Sequence, residues 1–334
     1  MNAFYSLIFV FALVLIALFG VGAAHLSYFF GVILPLAAVI VFIVGIVFKV
    51  LGWGKSAVPF RIPTTGGQQQ SLDWIKQNKW DNPSTASQTF IRMFFEVLFF
   101  RSLFRNTSAS LRNEDGAPVV AYASAKWLWL FALMFHYSFL IIVLRHLRLF
   151  MDPVPFFVTS LDFLDGILQI GAPRLYTSDL LILVGLSFLL LRRLLVPILR
   201  YISGAADYFP LLLILGIALS GIYMRYFGKV DVIAIKELTM GLVTLSPKVP
   251  ANIGASFYVH ITLVSTLLIY FPFSKLMHMG GVFLSPTRNM PNNSRIVHHE
   301  NPWNPNVKPH SYEAYEDDFR EHMIEAGLPV EKQA

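Results

Sequence analysis

The chain has 334 residues, 55% of them apolar and only 14% charged, with a mean hydropathy of +0.59. Soluble chains carry nearer about a quarter charged residues, so the composition excludes an ordinary globular enzyme and implies a polytopic membrane protein. The net charge of +6 comes from basic residues in loops beside apolar runs, which reads as membrane orientation and gives no support for nucleic-acid binding. Cysteine is absent, excluding cysteine-ligated iron–sulfur clusters, covalent C-x-x-C-H haem attachment, disulfides and thiolate catalysis in this chain.

Six stretches have spanning length, near 3–24, 30–51, 125–149, 178–199, 208–227 and 254–277, because roughly 20 helical residues cross the hydrocarbon layer. The first is too long for a signal h-region and lacks a basic n-region, so it reads as a retained helix. It forms a hairpin with the second around residues 25–31. The polar segment 52–124 follows, opening with PFRIPTTGGQQQS, whose proline and glycine content opposes a regular helix. Within it, FIRMFFEVLFFRSLF (90–104) is too short and too charged to span; it reads as an amphipathic helix in the interface or against a partner subunit. Segments 150–177 and 228–253 read as connections, and Asp207 and Arg225 as end caps of the fifth span. Residues 280–334 form a polar tail in which 311–326 have amphipathic helical character. The expected fold is therefore an all-α integral membrane helical bundle, with about six transmembrane helices, an interfacial helix and a polar C-terminal tail. Its divisions are 1–51, 52–124, 125–279 and 280–334. The excess of Lys and Arg in 52–124 and near 192–207 places both of those segments, and both termini, on the cytoplasmic side.

Ionisable side chains at membrane depth are costly and mark functional sites by default. The third span carries His136 and His146, and the last carries His260 and His278. On unbroken helices the first pair is separated by roughly 15 Å along the axis and the second by roughly 27 Å, on one face. Antiparallel spans would then bring His136 to His278 and His146 to His260, with two haem irons about 21 Å apart. Bis-imidazole ligation leaves no open axial position, so electron transfer is the natural task. A proton relay, or a permease or channel with a metal-ion site, stays open as the alternative. Arg145 and Arg148 flank His146 and Lys275 precedes His278; these cations are candidates to pair with haem propionates, or snorkel at span ends. His25, beside Tyr28 in the first turn, is at the depth of a quinol headgroup or is a plain interfacial residue. His298, His299, His310 and His322 lie in the tail without metal-ligand spacing.

The ten- and eighteen-residue histidine spacings over 125–280 resemble the gamma subunit of respiratory nitrate reductase and its relatives, di-haem cytochromes b that exchange electrons with quinol. The resemblance implies two haems b, held by His136 with His278 and by His146 with His260, and menaquinol as the exchangeable substrate. The opening hairpin, PFRIPTTGGQQQSLDWIKQNKW and the overall length are similar to the DsrM family, cytochrome b subunits of membrane complexes linked to dissimilatory sulfite reduction. That likeness implies a cytoplasmic heterodisulfide-reductase-like iron–sulfur subunit as partner. It also implies a second quinone-interacting membrane subunit, a periplasmic multihaem cytochrome c and a periplasmic iron–sulfur protein.

Overall fold

The computed structural model describes residues 2–56, 58, 61–62, 66–166, 174–297 and 309–331. Uninterrupted apolar sequence gives α1 (Asn2–Gly22) and α2 (Leu34–Gly54), joined by a short turn and a π-helical turn at Phe29–Ile33. In the polar segment, α3 (Ala86–Phe99) starts at Thr85, whose side chain accepts from Gln88 N, and α4 (Arg101–Phe104) follows. The amphipathic helix expected over 90–104 is present, begun at Ala86 and broken at Phe100, where φ is 50°. Its Phe90, Phe94 and Phe95 rings are exposed, whereas Glu96 is buried against Arg288 (2.7 Å) and Ser102 (2.6 Å).

A β-hairpin, β1 (Thr107–Glu114) with β2 (Ala117–Ser124), stands where the sequence reading expected no strand. Asp115 and Gly116 both hold positive φ, 54° and 85°, the geometry of a two-residue turn that matches strand twist. Then come α5 (Lys126–His146), α6 (Phe156–Asp165), α7 (Thr177–Leu195), α8 (Pro197–Ile202), α9 (Ala205–Tyr223), α10 (Val232–Val243), α11 (Ala255–Tyr270), α12 (His278–Leu284) and the tail helix α13 (Tyr312–Glu325). Helices α6 and α10 occupy stretches that the sequence alone presented as connections.

Among the described residues, five helical stretches are long and apolar enough to cross a bilayer: Asn2–Gly22, Phe29–Gly54, Lys126–Leu149, Ala205–Gly228 and Ala255–Phe273. The sixth expected crossing is α7. It carries Asp179 in its first turn and Arg192 and Arg193 in its last, so its apolar stretch is shorter than the others; it packs along α5 and α9. Helices α1, α2, α9 and α11 pack on one another around Ala17, Leu213 and Leu263, all essentially inaccessible.

The last span departs from the sequence reading in a way that bears on the site. Helix α11 stops at Tyr270, and two 3-10 turns, Phe271–Phe273 and Lys275–Met277, follow with Ser274 extended between them (φ −117°, ψ 175°). Pro272 lacks the amide hydrogen that a continuing helix would use, and the Ser274 side chain accepts from Leu276 N to start the next turn. The unbroken five-turn helix from His260 to His278 is therefore absent, and axial separations worked on it, including the iron-to-iron distance, do not apply.

Candidate functional site

Helix α5 packs along α7, and α11 along α1, α2 and α9; among the described residues no seam of comparable extent joins α5 to α11. Across that interval the histidine rings face each other. His136 and His278 have ring centres 6.0 Å apart with planes at 76°, and His146 and His260 have centres 6.4 Å apart with planes at 13°. His136 and His260 are half-buried, whereas His146 and His278 are exposed on the bare chain.

The hydrogen bonds of these four rings all engage Nδ1. His136 donates to Ala132 O (2.7 Å), His146 to Ile142 O (2.7 Å) and His278 to Lys275 O (2.8 Å). Carbonyl oxygens only accept, so each of these Nδ1 atoms carries the ring proton. His260 Nδ1 is 2.9 Å from Ser220 Oγ, which also reaches Ile217 O at 2.9 Å; with the hydroxyl hydrogen on that carbonyl, Ser220 accepts from His260 and the same tautomer results. In their neutral form the four imidazoles would offer Nε2 lone pairs, with the opposite nitrogen engaged by an outer hydrogen bond, as in ligating histidines. Gly221, one residue after Ser220, keeps this arrangement close: a Cβ there would lie 3.4 Å from His260 Cε1.

The spacing is also that of axial ligands. A metal–imidazole bond of about 2 Å puts the ring centre roughly 3 Å from the metal, so rings on opposite sides of one ion stand about 6 Å apart. Among the described residues no group of three or more His, Asp or Glu side chains converges to hold a bare metal ion. Two-imidazole pairs suit a metal whose other ligands come with a macrocycle, as in haem.

The nitrate reductase gamma subunit family matches residues 99–297, a stretch containing all four histidines. The chain belongs to that family. It is also similar to the "Hdr-like menaquinol oxidoreductase cytochrome b-like subunit" of Archaeoglobus fulgidus, 47% identical over 283 residues and covering 83% of each chain. The protein of the same name from Archaeoglobus profundus is 44% identical over 280 residues, 82% of each chain.

In this chain a charged cap closes the His146–His260 end. Arg145 is buried, with Nε on Asp162 Oδ1 (3.2 Å) and Nη1 on Asp165 Oδ2 (2.6 Å) and Ser178 Oγ (3.2 Å). Its guanidinium also stacks 3.3 Å from the Tyr176 ring centre. Arg145, a candidate propionate partner in the sequence, has its guanidinium on Asp162, Asp165 and Ser178 here, and so ties α5 to α6 and to the first turn of α7. Arg148 is half-exposed and touches Asp162 at 3.3 Å. Burial alone would raise the Asp162 pKa, but the Tyr176 hydroxyl (2.8 Å), Arg148 and Arg145 outweigh it and hold the carboxyl below its usual range. Arg225, which read as an end cap, stacks on the opposite side of the cap, 3.8 Å from the Tyr176 ring centre, with a buried Nε that meets no partner among the described residues. It lies in the π-helical turn Met224–Gly228 that follows α9. Nothing in the sequence pairs Arg225 with Arg145; only the fold sets both against one tyrosine.

At the other end Lys275 pairs with Asp207 (2.8 Å), and Asp207 also accepts from Gly204 N to cap α9. Phe100, at the break between α3 and α4, sets its ring edge-on to His136 at 4.9 Å. Tyr137 OH donates to Leu98 O (2.8 Å) and Trp129 Nε1 to Phe99 O (2.7 Å), so the carbonyls that end α3 are anchored on α5 beside His136. The remaining histidines lie apart. His25 is exposed at φ 54° in the first turn. His310 pairs with Asp318 and His322 with Glu325, and His298 and His299 lie outside the described residues.

Proposed function

We propose that the chain is the membrane di-haem cytochrome b subunit of a respiratory complex. It carries electrons between menaquinol, oxidised near the His146–His260 end, and a cytoplasmic heterodisulfide-reductase-like iron–sulfur subunit. The observation that carries this reading is the pair of facing imidazole couples, at 6.0 and 6.4 Å, with every Nδ1 proton committed to an outer acceptor. The names of the Archaeoglobus relatives support the menaquinol and heterodisulfide-reductase elements. The absence of cysteine assigns any iron–sulfur cluster to a partner.

His136 with His278 would hold one haem b, and His146 with His260 the other. Haem, when bound, supplies reversible one-electron chemistry. The chain's own contribution is to present Nε2 on both sides, to fix ring direction through Ala132, Ile142, Lys275 and Ser220, and to keep water out with the surrounding apolar spans. Arg148, with Arg225 in the same cap, would meet propionates near the His146–His260 couple; Arg145 braces the helices beside them. With α7 counted as the sixth crossing, both termini lie on the cytoplasmic side of the cell membrane, and menaquinol protons leave on the outer side. In a DsrM-type setting, linked to sulfite reduction, the complex adds a second quinone-interacting membrane subunit, a periplasmic multihaem cytochrome c and a periplasmic iron–sulfur protein.

The test is the haem content and redox titration of the purified chain. Two b-type centres are expected, with one lost and the other retained in His146→Ala. A colourless wild-type protein, or unchanged haem in that variant, would overturn the reading and favour a permease.

A further inference from the structure

We infer that Glu96 is a positioning residue for the His136–His278 couple, a single buried carboxylate that holds the chain on both sides of it. Glu96 stands in the last turn of α3 with 8% of its side chain exposed. A carboxylate is costly to bury unless its oxygens are bonded. Here Oε2 accepts from Ser102 N (2.9 Å) and Ser102 Oγ (2.6 Å), and Oε1 accepts from Arg288 Nη1 (2.7 Å).

On one side, the bonds to Ser102 close the break between α3 and α4. Phe100 lies in that break in the left-handed region (φ 50°, ψ 48°), which a bulky side chain seldom adopts. Such an outlier persists only where its surroundings hold it. The result is a Phe100 ring set edge-on to His136, at 4.9 Å and 88°. The other side is the chain behind α12, the helix that opens with His278. Arg288 N donates to Ser285 O (2.9 Å), the first residue after that helix. Arg92 adds a second tie from α3, to Thr287 O at 3.2 Å. Among the described residues, Glu96 alone bonds both across the Phe100 break and to the segment behind α12.

The ring planes are what this arrangement fixes. His136 and His278 cross at 76°, whereas His146 and His260 lie at 13°. In a low-spin ferric haem, crossed axial imidazoles give a more anisotropic electron paramagnetic resonance signal, with a larger highest g value, than parallel ones. Each couple therefore has its own signature. The reading of the rings as haem ligands rests on the function proposed above; the tie from Glu96 to both sides does not.

The test uses the purified full chain as Glu96→Gln, Arg288→Gln, Arg288→Lys and Ser102→Ala. Electron paramagnetic resonance of the ferric protein reads the couple, and hydrogen exchange by mass spectrometry reads α12. Glutamine at position 96 offers one acceptor oxygen where three donors converge. Glu96→Gln and Arg288→Gln remove opposite charges, so a through-space effect would move one haem potential in opposite directions and leave the highest g value in place. Lost positioning should instead lower the g value of the crossed couple in both, with the other haem unchanged. Ser102→Ala should lower it less, and serves where the other variants do not fold. Arg288→Lys keeps the donor and the charge and should match the wild type. Exchange over 278–284 should quicken about tenfold in Glu96→Gln, as for the loss of one charge-assisted bond, with 255–270 unaffected. Two haems with wild-type g values in Glu96→Gln or in Ser102→Ala would overturn the proposal, even if exchange quickens. A colourless wild type sinks the electron-transfer reading instead; exchange then decides the tie, and wild-type rates over 278–284 in Glu96→Gln would overturn it.

Discussion

Replacing Arg145 by leucine should cost far more than its place near the end of a helix suggests. The side chains of Arg145 and Asp165 are 9% and 4% exposed and meet at 2.6 Å. Truncating the arginine leaves the Asp165 carboxylate buried, held among the described residues by Ser178 through its amide (2.8 Å) and hydroxyl (2.6 Å). Breaking a buried pair in this one-sided way costs about 3–5 kcal/mol, because the remaining charge is uncompensated. Asp162 suffers less, since its side chain is 25% exposed and keeps Arg148 at 3.3 Å. Removing both buried charges, in Arg145→Leu with Asp165→Asn, should bring the loss back to about 1–2 kcal/mol, because the two residues form one unit. Reversible unfolding in mixed detergent micelles, followed by helical circular dichroism, measures both variants. A single-variant loss below about 1 kcal/mol, the level of an exposed pair, would show that the cap is solvated and the reasoning wrong. So would a double variant less stable than the single.

If the chain holds two haems as proposed, Ser220→Ala removes an outer partner of His260 Nδ1 and makes the imidazole a poorer electron donor; one of the two potentials should then rise, with haem content unchanged, in a spectroelectrochemical titration. Gly45→Ala would set a Cβ 2.6 Å from Pro272 Cβ, in the linker that positions His278, so overpacking of about 1–3 kcal/mol should appear in unfolding and the His136–His278 centre alone should change its spectrum. Phe100→Gly relieves the left-handed backbone at φ 50° but removes the ring against His136, so stability should stay within about 1 kcal/mol of wild type while that same centre shifts. Asp162 has a folded pKa below its unfolded value; the stability it adds is present above the unfolded pKa near about 4 and is lost as pH falls through the folded one. Melting temperature against pH should therefore fall on the acid side in the wild type and more shallowly in Asp162→Asn; identical acid limbs would contradict this.

The bundle was legible because apolar run length is a direct consequence of bilayer thickness, and the four histidines were legible because a titratable ring in such a run is rare. Other features were not. Proline is tolerated inside membrane helices, so Pro272 gave no warning that α11 ends there. Asp115-Gly116 was a usable turn signal, yet the polar surroundings of β1 and β2 hid their alternation. Asp162, Asp165, Ser178 and Arg225 are scattered over three helical segments, and no spacing rule in one dimension gathers them around Tyr176. Their role exists only once α6 and α7 fold against α5.

The extended Ser274 between α11 and α12 divides the two histidine couples mechanically. His260 is set in the middle of the packed bundle, so its position is inherited from every neighbour of α11. His278 begins a separate short helix behind a jointed stretch, Phe271–Met277, and answers to that joint instead. Insertions, deletions or loads applied through α12 will therefore retune one couple while its counterpart stays as built, giving the molecule one fixed terminal and one adjustable one.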